Sequence, residues 1–422
     1  MHEEILDKMQ DLLKDEIENF AGDFGKTEET VMNLLMSLGK GLLQRLVGRS
    51  NNGYKGSSIV CKCGGSMKFV QYRPRNIQTL LGSITIKRAY YYCSNCGSGI
   101  APYDKAGGLG SEQVSPAMAK ACCTLAVDDS FEHTSRKIEE LFGQKISDNT
   151  VERVVHQVGN VVLAGQNSML DDFSKDRQIP QAQIKPKRLY ICPDGTTVHE
   201  KDGWHETKVG SIYWADERFD RHQRYVGRFD NSDVFGDHLW LSACRCGFRE
   251  ADEAVYIGDG AKWIRTIHDE HFSKAVFIVD WFHASEHIWD CGKALFGEGT
   301  DAAEKWVKRR QALLWNGCTR KLLNNLKKWS SRCRGEKQEA IETLCRYISV
   351  NEQQMCYDVF RAKGYDIGSG AVEGACKYVV GKRLKQAGMI WTRAGSSATL
   401  ALRISWLNKE WNELWSKKPL AA

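Results

Sequence analysis

No run of eighteen apolar residues occurs in this sequence, so it offers no candidate for a membrane-crossing helix. The start, MHEEILDKMQDLLKDEIENF, lacks the basic head and apolar core of a secretory leader, and a cytosolic protein is expected. No internal repeat and no low-complexity segment is found. The fifteen cysteines are an odd number at irregular spacings, which fits poorly with a secreted disulfide framework. In a reducing compartment most of them belong in the core as buried thiols, and only close pairs invite metal. What is present is globular: 42% apolar and 27% charged over 422 residues, enough for about two to four domains.

A net charge of +6 says less than its placement. Lysine and arginine gather in KWVKRRQ, RKLLNNLKKW and KYVVGKRLKQ, all beyond residue 300. Such clusters suit a polyanionic partner such as nucleic acid, and equally a set of solvated helix faces.

Residues 1–50 read as helical. Ile5, Met9, Leu12, Leu13, Ile17 and Phe20 recur at helical spacing, then Val31, Leu34, Leu35, Leu38, Leu42, Leu43 and Leu46 do so again. This segment is either a dimerisation element or a simple packing helix. Residues 51–105 carry two close cysteine pairs, Cys61 and Cys63 in CKCGG and Cys93 and Cys96 in CSNCG, separated by the β-rich runs KFVQYR and SITIKRAYYY. Two cysteine knuckles on turns, each followed by glycine, are what a zinc ribbon needs, because four thiolates close a tetrahedral structural Zn²⁺ site. The first pair, C-x-C, is tighter than the usual C-x-x-C. Cys122 and Cys123 read as helix core, and Cys244 and Cys246 are left open. Residues 106–170 look wholly helical, with Ser147 or Asp148 as N-cap of the last helix. Helix, turn and capped helix form either an ordinary small helical bundle or a helix-turn-helix, and in the latter Asn149, Thr150 and Arg153 at the exposed start of the second helix face DNA.

From residue 186 short β-rich runs alternate with helices, which implies a mixed α/β sheet over 186–291. Two of those runs end on an aspartate followed by glycine: Asp194 in RLYICPDG and Asp259 in AVYIGDG. Asp-Gly is a common turn dipeptide, and one alone favours a turn. Two at strand ends, with a later glutamate-bearing helix and basic neighbours, point to a carboxylate pocket suited to Mg²⁺ or Mn²⁺. Asp280 also ends a strand, in FIVDWFHASEH, and forms a D-x-x-H element with His283 that either pairs internally or supports a nearby loop. Residues 292–361 are helical and basic. In SGAVEGACKYVVGKRLKQAGMIW, within 362–410, Ser369 opens a helix with Glu373 in its first turns. Lys377, Lys382, Arg383 and Lys385 then stand on or just after that helix, either contacting phosphates or lining a solvated face.

Five blocks in this order, CPDGTTV, WHETKVG, YIGDGAKWI, FIVDWFHASEH and GSGAVEGACKYVVGKRLKQAGMIWT, resemble the ISKra family of bacterial insertion-sequence transposases, within the Mutator-like group of DDE enzymes. The resemblance implies an RNase H-like mixed sheet with an α-helical insertion before the final glutamate, preceded by a zinc ribbon and a helix-turn-helix domain. It further implies that Asp194, Asp259 and Glu373 are the catalytic triad, holding two Mg²⁺ or Mn²⁺ ions, with Asp280 and His283 supporting them. Its implied partner is double-stranded DNA, both the terminal inverted repeats and the target, bound by a homodimer or larger assembly near the bacterial nucleoid. A catalytically silent DNA-binding regulator and a simple metal-dependent nuclease are the competing expectations.

Overall fold

The computed structural model describes residues 23–49 and 52–421, so the first amphipathic segment, from Ile5 to Phe20, lies outside the described residues. The chain forms a multidomain mixed α/β protein that divides into two compact units. The first unit takes the described residues up to Ala126, then Phe131–Val154 and the last few from Lys418; the second takes Val127–Ser130 and Val155–Lys417.

In the first unit, α1 (Phe24–Gly48) precedes an antiparallel four-stranded sheet in the order β1 (Ser58–Val60), β2 (Ser66–Thr79), β3 (Gly82–Tyr92), β4 (Gly99–Ile100). The side chains of β3 alternate inward and outward, as a half-buried strand requires. Inward Ile84 and Ile86 join Ile77 of β2 in a cluster that receives Leu43 and Val47 of α1. After the short α2 (Pro102–Ala106) come α3 (Pro116–Ala126), α4 (Phe131–Phe142) and the first turns of α5 (Asp148–Asp176), which from Val155 onward belongs to the second unit. Gly143 ends α4 in the left-handed region at φ +63°, where a β-carbon would be strained. The Ser147 hydroxyl accepts from the Thr150 N–H at 3.2 Å and starts α5. Cys122 and Cys123 lie buried in α3.

The second unit is built on a five-stranded mixed sheet in the order β7-β6-β5-β8-β9. Strands β5 (Arg188–Glu200), β6 (Gly203–Ala215) and β7 (Arg221–Arg228) are antiparallel, whereas β8 (Glu253–Gly258) and β9 (Val276–Val279) run parallel to β5. The parallel strands need crossovers, which α6 (Ser232–Arg245) and α7 (Lys262–His271) supply. Residues directly paired across two strands share a face. Gly210 and Val226 are paired, and a β-carbon on Gly210 would strike Leu239 of α6. Val209 and Gly227 are paired on the opposite face, where a β-carbon on Gly227 would strike Ile404 of α15 (Arg393–Leu407).

Between the sheet and its closing helices lie α8 (Trp281–Phe296), α9 (Asp301–Trp315), α10 (Thr319–Ser330), α11 (Glu336–Val350) and α12 (Tyr357–Ala362). Helix α10 buries Leu322, Leu323 and Leu326 and turns Lys321, Lys327 and Lys328 outward. The glutamate-bearing segment then runs as α13 (Gly370–Ala375), a π-helical stretch (Cys376–Gly381) and α14 (Lys382–Leu384); α16 (Trp411–Ser416) follows α15.

Two details differ from the sequence expectations. Strand β5 does not end at Asp194, because β6 continues to pair with it as far as Glu200. Only the parallel ladder with β8 stops early, at the pair Ile191–Tyr256. Helix α6 was not anticipated, and it absorbs both open cysteines: Cys244 and its capping neighbour Cys246 are buried, which pushes their thiols up to about 12 and about 11.

Candidate functional site

Asp194 and Asp259 come to one edge of the sheet because of register. Asp194 and Asp259 each lie three residues beyond the last pair of the β5–β8 ladder, Ile191–Tyr256, so they leave the parallel sheet at the same level. Asp194 is paired with Val209 and therefore faces α13 rather than α6. There its Oδ2 accepts from the Cys376 thiol at 3.3 Å, while its Oδ1 accepts from the Gly195 N–H at 2.7 Å. Glu373 precedes Cys376 by three residues, one helical turn, and its charge together with that of Asp194 helps raise the Cys376 thiol, which burial raises most. The thiol is consequently a proton donor at neutral pH. The π-helical stretch begins at Cys376, directly after the turn that presents Glu373; such widened turns recur where a helix carries function.

Asp259 follows β8. Its Oδ1 accepts from the Ala261 N–H at 2.7 Å and its carbonyl from the Tyr347 hydroxyl at 3.0 Å. Gly260 completes this turn at φ +86°, with Asn351 3.0 Å from where a β-carbon would sit, so no larger residue fits there without displacement. Burial raises the Asp194 carboxyl above its ordinary range, and the Asp259 charge raises it further, against the Gly195 N–H, the Cys376 thiol and His283. Among the described residues, neither Asp194 nor Asp259 forms an ion pair with lysine or arginine. A hard divalent cation fits such a pair, whose mutual repulsion is otherwise uncompensated. The carboxylate oxygens of Asp194, Asp259 and Glu373 do not gather within 4.8 Å of one another.

Asp280 has a different task from the other acids. It is buried and caps α8: its Oδ1 accepts from the N–H groups of Phe282 (2.5 Å) and His283 (2.9 Å), and its Oδ2 accepts from the Ser369 N–H. It thus ties the end of β9 to the start of the Glu373 helix. The His283 ring meets Glu286 at 3.3 Å instead of Asp280, so the two do not pair through their side chains. Sequence reading missed His287, one turn beyond His283 on α8. Its ring lies 3.9 Å from that of Tyr347, tilted by 38°, and burial lowers its pKa while the charges of Asp290 and Asp259 oppose that. The i, i+4 histidine spacing in FHASEH was a usable signal; Tyr347 and Cys376 gave none.

The basic residues separate into groups. Lys377 and Lys385 are exposed, and the Lys385 ammonium donates to Thr196 Oγ1 at 2.5 Å, two residues along β5 from Asp194 and on the same face. Lys382 is held by Asp128 at 2.9 Å. Arg383 is fully buried beside Trp391, and burial lowers its pKa to about 10. The expectation that Arg383 contacts DNA therefore fails for this conformation: its guanidinium belongs to the core. In the first unit Asn149 is exposed, Thr150 bonds Ser147 through its hydroxyl at 2.8 Å, and Arg153 pairs with Glu112 at 3.0 Å.

The four cysteines converge. Their sulfurs all lie within 4.8 Å of one another, Cys61–Cys96 at 3.5 Å and Cys63–Cys93 at 3.7 Å. Sulfurs bound to one zinc at about 2.3 Å stand about 3.8 Å apart on a tetrahedron, so the cage has the size of that ion. Each pair sits on a turn between strands, closed by Gly64 at φ +82° and Gly97 at φ +72°. The hydroxyl and N–H of Ser98 lower the Cys96 thiol to about 6. The Cys63 N–H favours the Cys61 thiolate, but burial and the neighbouring thiols prevail and push Cys61 up to about 12. A second convergence, Glu200, Asp202 and His205, is already satisfied: Arg393 holds Glu200 at 2.9 Å and Asp202 holds His205 at 2.9 Å. A cavity of about 380 Å³ lies elsewhere in the second unit, lined by Met169, Tyr225, His238 and Asn408 among others, away from the acids.

The sequence profile described as "Uncharacterised protein family (UPF0236)" matches residues 65–414. The chain belongs to the UPF0236 family. A relative named "UPF0236 protein in vanSb 3'region", from Streptococcus gallolyticus, is 25% identical over 346 residues, covering 78% of this chain and 71% of that protein. The UPF0236 match takes in the acids, the capping Asp280, the Glu373 helix and all the cysteines of the cage except Cys61 and Cys63.

Proposed function

We propose that this UPF0236 protein is a DNA transposase of the DDE type, which cleaves the ends of an insertion sequence and joins them to target DNA. The observation that carries the reading is the common level of Asp194 and Asp259 on adjacent parallel strands, with the Glu373 turn packed over Asp194 through Cys376. The mixed sheet of three antiparallel and two parallel strands supports the RNase H-like fold implied by the ISKra resemblance, as does a helical block between β9 and Glu373.

Asp194, Asp259 and Glu373 would hold Mg²⁺ or Mn²⁺. Bound there, the two ions supply activation of a water or 3′-hydroxyl and neutralisation of the leaving oxygen. The remaining work falls to the chain. Asp280 sets the height of the Glu373 helix, Tyr347 fixes the Asp259 turn, and the Cys376 thiol keeps Asp194 oriented. Lys385 and Lys377 offer cations to the DNA backbone beside Asp194, and the exposed lysines of α10 offer further ones. The four-cysteine cage would hold structural Zn²⁺, and the segment around Asn149 and Thr150 would read the transposon ends. The deciding experiment incubates the full chain with its own element ends and Mg²⁺ or Mn²⁺. Cleavage and joined products are expected from wild type and not from Asp259→Ala. Equal cutting by the two proteins defeats the enzyme reading, and cutting without joined products leaves a nuclease.

A further inference from the structure

Helix α1 uses only one of its faces inside its own unit. Leu43 and Val47 pack on the Ile77–Ile84–Ile86 cluster, and the Gln44 amide makes two hydrogen bonds to the backbone of Thr85, at 2.7 and 2.9 Å. Gly39 lies against Leu81 with no room to spare. The outer face carries Val31, Leu35, Leu38 and Leu42, exposed by 38%, 46%, 40% and 60%. Their spacing of four, three and four residues is the a/d rhythm of a coiled-coil seam. Carried one step further at each end, the same seam reaches Glu28 and Arg45, both exposed. Among the described residues neither forms an ion pair. The stripe from Val31 to Leu42 covers about 17 Å of the helix, and a contiguous exposed apolar face of this kind marks an interaction surface.

The end charges say what covers it. Pair two copies of α1 antiparallel about the midpoint between Leu35 and Leu38. Leu35 of one copy then faces Leu38 of the other, Val31 faces Leu42, and Glu28 faces Arg45, each contact occurring twice by two-fold symmetry. A parallel pair would instead set Glu28 against Glu28 and Arg45 against Arg45. We infer that α1 is a self-complementary dimer interface, and that its occupant is α1 of a second copy of this chain, running antiparallel in that register. The inference does not depend on the DNA chemistry proposed for the acids.

The test is the molar mass of the full chain by light scattering at about 1–50 μM, a range that resolves micromolar dissociation. Wild type is expected to weigh twice the monomer. Leu35→Glu with Leu38→Glu is expected to give a monomer with unchanged circular dichroism, since neither side chain is buried in its own unit. Glu28→Arg alone and Arg45→Glu alone each place two like-charge contacts in the interface and are expected to weaken it by roughly tenfold. The double reversal restores the wild-type affinity, and mixing the two single variants yields a heterodimer. A monomeric wild type overturns the inference, as does a dimer indifferent to the leucine substitutions. Single reversals without effect overturn the antiparallel register. A monomer that dimerises only after residues 1–22 are removed would show that the face belongs to the chain's own N-terminal segment, and would overturn it too.

Discussion

The buried carboxylate of Asp280 accepts the backbone N–H of Ser369, 89 residues further along the chain. It also accepts from Phe282 and His283, so one side chain ends a strand, starts a helix and anchors the segment that presents Glu373. Asp280→Ala would strand the buried Ser369 donor and remove the cap from two half-buried donors at the start of α8. The stranded donor costs about 1–3 kcal/mol and the lost cap about 0.5–2 kcal/mol, so a destabilisation of about 2–5 kcal/mol is expected in denaturant unfolding. Asp280→Asn keeps the shape but offers one acceptor oxygen, so it serves either the α8 donors or the Ser369 N–H and not both, and should lie between wild type and alanine. If Asp280→Ala unfolds like wild type, the anchoring role is wrong.

Asp194 predicts an opposition between stability and activity. Burial and the Asp259 charge raise its carboxyl above the ordinary range. With a folded-state pKa above the unfolded value, its contribution to stability is full below the ordinary carboxylate range and is lost as pH rises through the raised value. Asp194→Asn removes that titration. Without added divalent cation the variant should be more stable than wild type at neutral pH, by about 0.5–2 kcal/mol, and its advantage should shrink as pH falls toward 4. Cleavage should be lost at every pH. An advantage that grows in acid would contradict the sign.

Much of this site was legible in the sequence, and the illegible parts have physical causes. Asp194 and Asp259 stood out because each closes an apolar run, and the helix containing Glu373 because Ser369 marks its start. That β5 runs on past Asp194 was not read, because Asp194-Gly195 has the composition of a turn, whereas the chain reverses only at Lys201 and Asp202, between the pair Glu200–Gly203. The cap made by Asp280 was equally hidden: D-x-x-H looks like a ligand pair, and only the position of Ser369 shows that the carboxylate is spent on backbone. Arg383 misled because a basic run on a short helix gives no sign that one member turns inward onto Trp391.

Arg383 and its neighbours should therefore behave oppositely on substitution. Arg383→Ala empties a core position and is expected to cost about 2–5 kcal/mol of stability, like other large-to-small core changes. Lys377→Ala and Lys385→Ala should leave stability nearly unchanged. They should weaken DNA binding to all sequences alike, each reducing the slope of log K against log salt by about 1. Lys382→Ala should show a smaller binding effect, because its ammonium is already held by Asp128. Gel-shift titrations at several salt concentrations separate these outcomes, and a destabilised Lys385→Ala would move that residue into the structural class.

The cysteine cage yields a measurement that needs no DNA. Wild type should carry one tightly held zinc per chain. Cys93 is buried and packs with Cys61, Met67, Ala89 and Tyr91, so Cys93→Ser removes a ligand and disturbs that cluster together. Metal analysis should find its zinc largely lost, and proteolysis should cut within residues 55–105, where wild type is protected. Cys123→Ser serves as the control. That thiol is equally buried, in α3, but outside the cage, so its substitution should leave the zinc content intact. Zinc retained by Cys93→Ser and lost by Cys123→Ser would reverse the assignment.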